Sequence, residues 1–416
     1  MDTDSVELDA SHSSPLRVLQ ICPKPPYPPV DGGCIAANNI TNGLLGLGHR
    51  VKVVSIATPK HPATDALANT SYCDETRFEA CNHDTRVKAW SALRHLFSKR
   101  SYNIERFYTK RFETLLRKTL ESEEFDVIHF ESAYVAPYLD FVRSVSNAPA
   151  VYRAHNLEFE IWRGTQALEP NPLKRAYVGH LANQLERYER TFVNDFDGVA
   201  AITDADKRTF ERMGCRKPIT TIPFGLDVKS VSSDCKPAGT TIFHLGSMDW
   251  LPNQDGMKWF LRDVWPHIVS EHPDVSLVLA GRSMPTWLST LNMKSVQVVG
   301  EVPSAFDFMA SHSIMIVPLH SGGGMRIKII EGMALEKPIV STSLGAAGVD
   351  YVDGEHLLIA DTSDLFAERV SELIADSELR KRIASAGRRL AESHYDNSEI
   401  SAKLVGFYRQ LAGHSG

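Results

Sequence analysis

The sequence predicts an α/β protein with two domains, each built on a parallel β-sheet. Two observations indicate this fold class. Short apolar strands alternate with helical patterns along nearly the whole chain, as in consecutive βαβ units. The chain has 416 residues, which is too long for one ordinary core. We therefore expect two similar halves with a cleft between them, since open α/β sheets bind ligands at the carboxyl ends of their strands.

The composition is typical of a soluble globular protein, with 43% hydrophobic and 23% charged residues. A net charge of −6 gives no general case for a nucleic-acid partner, and we predict none. Residues 1–15 are polar and acidic, so we expect a disordered tail and not a signal peptide. The apolar runs stop short of the ~20 residues that span a bilayer. These features together predict a cytoplasmic protein.

The first domain is predicted to begin with the apolar strand "LRVLQIC". A Pro- and Gly-rich turn follows and ends at Gly32 and Gly33, after which a helical pattern and the strand "VKVVSIA" complete a βαβ unit. The alternation continues to about residue 222, where a Gly-, Pro- and Ser-rich segment has no clear period. This change predicts domains at 16–222 and 223–397.

The second domain starts with a new series of strands and helices, beginning at "TTIFHLGS". Its apolar strand "SIMIVPL" leads into three consecutive glycines, Gly322 to Gly324, and a helical pattern begins near Met325. Glycines before a helix let the backbone approach a ligand, and the first N–H groups of a helix favour an anion. Arg326 and Lys328 add positive charge there. The segment therefore predicts a diphosphate site.

Glu331 lies three residues beyond Lys328. A carboxylate so close to a phosphate site would repel the phosphate, so we expect Glu331 to accept hydrogen bonds from sugar hydroxyls. The alternative is an ordinary flexible loop in which Arg326 and Lys328 are solvated and Glu331 pairs with Lys328. The second glycine turn, at Gly32 and Gly33, favours a ligand held between the two halves.

Segments along the whole chain resemble the family 4 retaining glycosyltransferases, in the same order and with the same spacing. The matching segments include "PPYPPVDGG", "FDVIHFES", "VYRAHN", "IPFGLDV", "HLGSMDWLPN", "LVLAGR", "VVGEV" and "SGGGMRIKIIEGMALEKP". The resemblance implies the GT-B architecture, with two Rossmann-like domains that face each other across a central cleft. It also implies that a C-terminal helix, residues 398–416, packs back on the first domain.

The resemblance implies a donor site that draws on both domains. The turn at Gly32 and Gly33 approaches the donor diphosphate, and Glu331 matches a glutamate that binds the ribose. We predict His155 and Lys328 as catalytic residues, with a core histidine as the alternative for His155. The remaining donor-binding residues are predicted to be Gly246, Ser247, Arg282, Val299, Gly300, Gly323, Gly324, Met325 and Arg326.

Two departures from the family pattern concern the donor. The family has a glutamate eight residues before the one matched by Glu331, and Gly323 stands there. Many members also carry an arginine and a lysine after the first strand of the second domain, where this chain has Ser247 or Met248 and Asn253. We interpret the departures as linked, with Arg326 and Lys328 supplying the missing charge.

The predicted activity is a retaining, metal-independent transfer of a sugar from a nucleotide-diphosphate sugar to a glycan, glycolipid or small acceptor. No DxD-like metal site is evident, and we expect no cofactor beyond the nucleotide-sugar co-substrate. Two alternatives are a degenerate nucleotide-binding or partner protein without turnover, and a nucleotide-sugar epimerase. A dinucleotide oxidoreductase would need a GxGxxG turn that "PPVDGGCIAANN" lacks.

Residues 86–118 are rich in lysine, arginine and aromatic side chains, although the chain as a whole is acidic. One interpretation is peripheral contact with an anionic membrane at its inner face, or with a lipid-diphosphate acceptor. The other is a solvated pair of helices whose aromatic side chains face the core.

Overall fold

The computed structural model describes residues 14–63, 70–86, 101–231, 237 and 239–413. Its described part contains two parallel β-sheets with helices on both faces, which confirms the predicted fold class. The strands of the first sheet are β1 (Arg17–Cys22), β2 (Arg50–Ala57), β3 (Glu79–Asn82), β4 (Val127–Glu131), β5 (Ala150–Ala154), β6 (Gly198–Ala201) and β7 (Ile219–Thr221). Those of the second are β8 (Thr241–Leu245), β9 (Ser276–Ala280), β10 (Val296–Gly300), β11 (Ile314–Val317), β12 (Ile339–Ser341) and β13 (Leu358–Ile359).

Helices connect these strands. Those before β8 are α1 (Gly32–Gly46), α2 (Ser71–Thr76), α3 (Tyr102–Glu105), α4 (Lys110–Ser122), a 3-10 turn (Ala133–Tyr138), α5 (Leu139–Arg143), α6 (Glu158–Leu168), α7 (Pro172–Phe192) and α8 (Asp204–Arg212). Those after β8 are α9 (Leu251–Trp259), a π turn (Phe260–Val264), α10 (Trp265–Glu271), α11 (Thr286–Ser289), α12 (Ala305–Ala310), α13 (Ile327–Ala334), α14 (Ser363–Ala375), α15 (Ser377–His394) and α16 (Asn397–Leu411).

The order of the strands determines where a ligand can bind. The first sheet runs β3-β2-β1-β4-β5-β6-β7 and the second β10-β9-β8-β11-β12-β13, with every pair parallel. In each sheet the order reverses beside its first strand. The loops that follow β1 and β4, and those that follow β8 and β11, therefore flank the switch points where such sheets bind ligands.

The helices begin where the sequence provides capping groups. Asp31 caps α1, since its Oδ1 accepts a hydrogen bond of 2.9 Å from the N–H of Cys34. Asn171 caps α7 in the same way, and Pro172 fills the first turn, where its missing N–H costs nothing. Strands such as β4 and β5 are buried along their whole length, as expected for a parallel sheet covered on both faces.

The chain crosses between the two sheets twice. The segment between β7 and β8 meets the turn between α15 and α16, where the Leu226 N–H donates to the Tyr395 carbonyl (2.8 Å) and the Asn397 N–H donates to the Leu226 carbonyl (2.9 Å). After this second crossing α16 packs on α1. The two helices are so close that a Cβ on Gly43 would lie 1.9 Å from Ser401 Oγ.

Helix α16 completes a core cluster of the first sheet. Leu404 and Tyr408 are fully buried there among residues of β1 and α1, including Val18 and Leu44. Among the described helices, none combines the length and the apolar character that a bilayer crossing requires.

Candidate active site

A cavity of about 200 Å³ lies between the two domains and is lined by both glycine turns. Gly32 and Gly33 contribute from the start of α1, and residues 323–325 contribute from the loop after β11. His155, just after β5, lines the same cavity. The structure therefore brings together six residues that the sequence assigned to the donor or to catalysis.

The two domains lie close to each other at Gly324. Its φ is +80°, a conformation that suits glycine, and a Cβ there would lie 2.8 Å from the side-chain oxygen of Asn156 in the first domain. Gly323 has open space around the corresponding position. Of these two positions, only position 324 requires a glycine, both because of its backbone conformation and because Asn156 leaves no room for a side chain.

The side chain of Arg326 holds the triple-glycine loop through hydrogen bonds to its backbone. Its side chain is buried, its Nη1 donates to the carbonyls of Gly323 and Gly324, and the guanidinium lies 4.8 Å from the ring centroid of Trp250. Burial lowers the pKa of Arg326 to about 10, so it stays charged at neutral pH. Its Nε and Nη2 have no hydrogen-bond partner in the described part of the chain. The contact of Arg326 with the loop is therefore made by Nη1, through the two glycine carbonyls.

Lys328 is held in place by two acceptors. Its Nζ donates to the Leu245 carbonyl (3.1 Å) and to Asn253 Oδ1 (3.2 Å), so one of the three protons of its ammonium form has no partner among the described residues. Burial, followed by the repulsion of Arg326, lowers the pKa of Lys328 to about 7. Asn253 thus helps to orient the Lys328 side chain.

Glu331 lies one turn further along α13. Burial raises the pKa of Glu331 to about 7. Among the described residues no hydrogen bond and no ion pair within 4.0 Å joins its carboxylate to Lys328, whose Nζ donates to Leu245 and Asn253 instead. A carboxylate that is desolvated and unpaired is ready to accept hydrogen bonds from hydroxyl groups.

The other predicted donor residues lie at the carboxyl ends of β8, β9 and β10. A Cβ on Gly246 would lie 3.0 Å from Lys328 Nζ, so the bare backbone makes room for this side chain. Ser247 Oγ donates to Asp249 (2.6 Å), and the Met248 N–H donates to the Arg282 carbonyl (2.9 Å).

Arg282 and Val299 are exposed at this edge of the sheet. The Gly300 carbonyl accepts a hydrogen bond of 2.8 Å from the N–H of Gly281, so the ends of β9 and β10 are tied together. None of Gly246, Ser247, Arg282, Val299 and Gly300 lines the interdomain cavity. They form a second group of predicted donor residues beside Lys328.

Glu131, at the end of β4, was not singled out from the sequence. Its buried carboxylate accepts hydrogen bonds from Gln20 Nε2 (2.8 Å) and His129 Nε2 (3.0 Å) and lies 3.7 Å from Arg153 Nη1. His155 Nε2 bonds its other oxygen. Burial alone would raise the pKa of Glu131, but His129, Arg153 and His155 hold it well below its usual range. An acid at a strand end beside the switch point is the signal that could have identified it.

A second cavity, of about 250 Å³, adjoins the first and shares Gly33, His155 and Asn156 with it. Carboxyl groups predominate among its charged side chains. Lys24 Nζ lies 2.6 Å from both oxygens of Asp31, which neutralises that acid.

On the opposite wall of this second cavity, the Tyr134 hydroxyl donates to Glu158 Oε2 (2.8 Å), and burial raises the pKa of Glu158. The N–H of Glu158, at the start of α6, donates to the buried carboxylate of Glu189 (3.1 Å). Burial raises the pKa of Glu189 to about 8. The position of Glu158 is therefore set by two groups, the Tyr134 hydroxyl on its side chain and the Glu189 carboxylate on its N–H.

Part of the basic segment 86–118 lies outside the described residues, namely 87–100 with Trp90, Leu93, Leu96 and Phe97. In the part that is described, Phe112 is fully buried in the first-domain core and Phe107 packs against it. These two aromatic side chains face the core, as the second interpretation expects.

The fold and the cleft define a two-domain glycosyltransferase of the GT-B type. The family model described as Glycosyltransferase Family 4 matches residues 30–230, and the model described as Glycosyl transferases group 1 matches residues 239–376. The chain therefore belongs to this glycosyltransferase family, and it is an enzyme of the transferase class. Both findings confirm the sequence interpretation.

Two curated relatives match most of the chain. An uncharacterised 44.6 kDa protein of the cps region of Klebsiella pneumoniae is 24% identical over 300 residues, which are 70% of this chain and 76% of that protein. A phosphatidyl-myo-inositol mannosyltransferase of Mycobacterium leprae is 25% identical over 315 residues, or 71% of this chain and 76% of the relative.

Solved structures share the fold. The Anabaena protein HepE, in complex with UDP and glucose, has a TM-score of 0.64 at 15% identity and aligns over 94% of this chain and 99% of its own. Sucrose-phosphate synthase from Thermosynechococcus elongatus has a TM-score of 0.67 at 14% identity over 96% and 100% of the two chains. At this level of identity the likeness shows the GT-B fold.

Proposed function

We propose that this enzyme transfers a sugar, with retention of configuration and without a metal, from a nucleotide-diphosphate sugar in the interdomain cleft to an acceptor held by the first domain. The observation that carries the proposal is the cavity between the two glycine turns, with His155 on its wall. The Anabaena protein of the same fold was solved with UDP and with UDP-glucose, which supports a nucleotide-sugar donor.

The departing diphosphate is the group that most needs stabilisation. As the anomeric carbon–oxygen bond breaks, negative charge develops on the leaving oxygens and positive charge on the sugar. The third proton of Lys328 Nζ and the first N–H groups of α13, which no side chain caps, supply fixed donors for that charge. Lys328 is the residue on which we expect turnover to depend most.

Retention follows if the acceptor approaches on the face from which the diphosphate leaves. The acceptor oxygen then forms its bond to the anomeric carbon, while the leaving phosphate oxygen takes the acceptor's proton. This exchange balances without an enzymic base, so the chain needs only to align the two substrates. The adjoining cavities meet at His155, which supports the proposal that a donor sugar and an acceptor bind side by side there.

The second cavity, which we assign as the acceptor pocket, favours an uncharged group with several hydroxyls. Glu131, Glu158 and Asp31 line it, and its one lysine, Lys24, is already paired with Asp31. Glu131 is compensated by its four neighbours, so a phosphate would meet the carboxyl group of Glu158, which pairs with no cation among the described residues, whereas a sugar hydroxyl could donate to it. The volume of about 250 Å³ lies below the ~300–1,000 Å³ of pockets for drug-sized ligands, which suits one ring.

Metal independence is supported by what surrounds Asp31. Among the described residues, Asp31, Cys34 and His61 form a group with spacing suited to a metal ion. Lys24 Nζ binds both oxygens of Asp31 at 2.6 Å, and His61 Nε2 lies 2.9 Å from one of them. A divalent ion would have to displace this lysine, so the cluster is better suited to shaping the cleft.

Thermal-shift binding of UDP, GDP, ADP and their glucose conjugates tests the donor site. A ligand at 100 times its dissociation constant adds ~2.7 kcal/mol to stability, which is readily measured. We expect a shift with one nucleotide that Lys328→Ala largely removes and that Lys381→Ala, an exposed lysine on α15, retains. If no nucleotide shifts the wild type, the donor proposal is wrong.

Turnover assays separate the alternatives. Binding without transfer to any sugar, polyol or glycolipid acceptor would favour the degenerate nucleotide-binding protein. Conversion of the donor in the absence of an acceptor would favour the epimerase. For the acceptor pocket, Glu158→Gln should raise the KM for an uncharged acceptor while leaving nucleotide binding unchanged.

We retain peripheral membrane contact through residues 86–118 as a proposal. Its support is the exposed charge on α4, where Lys110 and Lys118 have side-chain exposures of 77% and 72%. Co-sedimentation with vesicles of anionic and of neutral phospholipid tests it. Unchanged binding after charge reversal of these two lysines and their basic neighbours would remove the idea.

A further inference from the structure

A buried chain of hydrogen bonds links His155 to the last helix of the protein. His155 Nε2 bonds Glu131 Oε2, His129 Nε2 bonds Glu131 Oε1, and the Tyr408 hydroxyl bonds His129 Nδ1. His129, Glu131 and Tyr408 have at most 1% side-chain exposure. We propose that Glu131 is the positioning residue for His155, and that Tyr408 keeps Glu131 in place through His129.

The directions of these hydrogen bonds follow from elementary chemistry. The Tyr408 hydroxyl is fully buried, and its single hydrogen-bond partner among the described residues is His129 Nδ1, so its O–H donates to that nitrogen. His129 Nδ1 therefore accepts, and the ring proton lies on Nε2, where it donates to Glu131. Burial raises the pKa of Tyr408 well above its usual value, which keeps the phenol protonated.

Glu131 in turn determines the tautomer of His155. A carboxylate is only an acceptor, so His155 must carry its proton on Nε2. Its Nδ1 is left with a free lone pair and has no partner in the described part of the chain. Because the ring lines both cavities, this nitrogen is available to accept a hydrogen bond from a substrate hydroxyl where the donor and acceptor pockets meet.

The surroundings of Glu131 make the arrangement rigid. Gln20, from β1, donates to Oε1 (2.8 Å) and Arg153, from β5, lies 3.7 Å from Oε2. Each carboxylate oxygen is thus approached by two groups, and these groups come from three adjacent strands. The carboxylate cannot rotate without losing several contacts, so the ring of His155 is fixed as well.

The first test measures the tautomer directly and does not depend on activity. Long-range proton–nitrogen NMR of 15N-histidine-labelled protein reports which ring nitrogen carries the proton, and His155→Gln assigns the signal. We expect the Nε2–H form in the wild type. In Glu131→Gln the amide N–H₂ can donate to Nε2 of His155, which then carries its proton on Nδ1. We therefore expect a mixture that contains the Nδ1–H form.

The second test uses kinetics and rests on the proposed function. Glu131→Gln should lower kcat about 100-fold, the cost of misplacing a reacting group by ~1 Å, with a small change in the KM for the donor. Tyr408→Phe keeps the ring and removes one hydrogen bond, so we expect a kcat about five- to tenfold lower. Tyr152→Phe is the matched control, since the hydroxyl of this buried tyrosine has no partner in the described structure.

The outcomes separate the two proposals. An unchanged His155 tautomer in Glu131→Gln, or equal effects of Tyr408→Phe and Tyr152→Phe on kcat, would overturn the positioning role. If the wild type transfers no sugar at all, the proposed function fails, and the tautomer measurement still decides whether Glu131 orients His155.

Discussion

Tyr408 on the last helix and His129 on β4 share a hydrogen bond although 279 residues separate them. This contact joins the end of the chain to the carboxylate that holds His155. It explains why α16 belongs to the first domain in structural terms, although it follows the second in sequence. The contact is also the reason to expect effects on activity from changes far from the cleft.

The crossing of α1 and α16 at Gly43 gives a prediction for stability. A Cβ there would lie 1.9 Å from Ser401 Oγ and 2.9 Å from Asn397 Nδ2, so Gly43→Ala must push the helices apart. We expect a loss of about 1–3 kcal/mol in the free energy of unfolding, measured by urea denaturation. Gly46→Ala, in the same helix with open space around it, is the control and should not destabilise the protein.

The triple-glycine loop offers a matched pair of substitutions. Gly324→Ala places a side chain in a left-handed conformation and against Asn156, whereas Gly323→Ala meets open space. Gly324→Ala should therefore weaken nucleotide binding about five- to thirtyfold by calorimetry, because the strain of about 1–2 kcal/mol displaces the loop. Similar affinities for the two variants would show that the close approach of the domains is not needed for binding.

Arg326 should act through the loop that it holds. Arg326→Lys keeps the charge but loses the planar fork that reaches two glycine carbonyls and the stacking on Trp250. We expect a several-fold higher KM for the donor, with little change in the melting temperature. Arg282→Lys, at an exposed position on the nucleotide side, gives the comparison. A KM effect confined to Arg282→Lys would contradict a role for the loop.

The pH dependence of stability follows from Lys328 and Glu331. The pKa of Glu331 is raised from 4.5 to about 7, so the folded state holds its proton more tightly and stability falls as the pH rises from 4.5 to 7. The pKa of Lys328 is lowered from 10.5 to about 7, so stability rises as the pH climbs from 7 to 10.5. These two groups together predict a minimum near pH 7.

Urea denaturation at pH 5, 7 and 9 checks this minimum. Glu331→Gln should remove the fall between pH 5 and 7 and leave the rise above it, and Lys328→Met should do the reverse. Profiles of both variants that match the wild type would mean that other groups set its pH dependence.

The sequence predicted those parts that are local in the chain. The turn before α1, the triple-glycine loop before α13 and the alternation of strands and helices depend on neighbouring residues, and the structure contains them all. Glu131 and Tyr408 escaped notice because their roles arise only when β4 and α16 meet. A pattern of spacing carries no information about two segments that are far apart in the sequence and that the fold brings together.

The role of Asn253 shows the same limit within the site. The sequence presented it as the loss of a family cation, since a neutral side chain stands where a charge is usual. In the structure its amide oxygen accepts a hydrogen bond from Lys328, which lies 75 positions later in the sequence, and so helps to orient that lysine. The missing charge at Asn253 is therefore understood only together with Lys328, because the two side chains form one arrangement.

The packing of α16 has a consequence for synthesis of the protein on the ribosome. Residues 17–221 emerge first, yet their core lacks Leu404 and Tyr408 until residues 397–411 have been made. The core of the first domain therefore stays incomplete, with the apolar face of α1 uncovered, while the second domain is translated. A nascent chain stopped before residue 397 should keep that face exposed to chaperones, and emergence of residues 397–411 from the ribosome allows it to be covered.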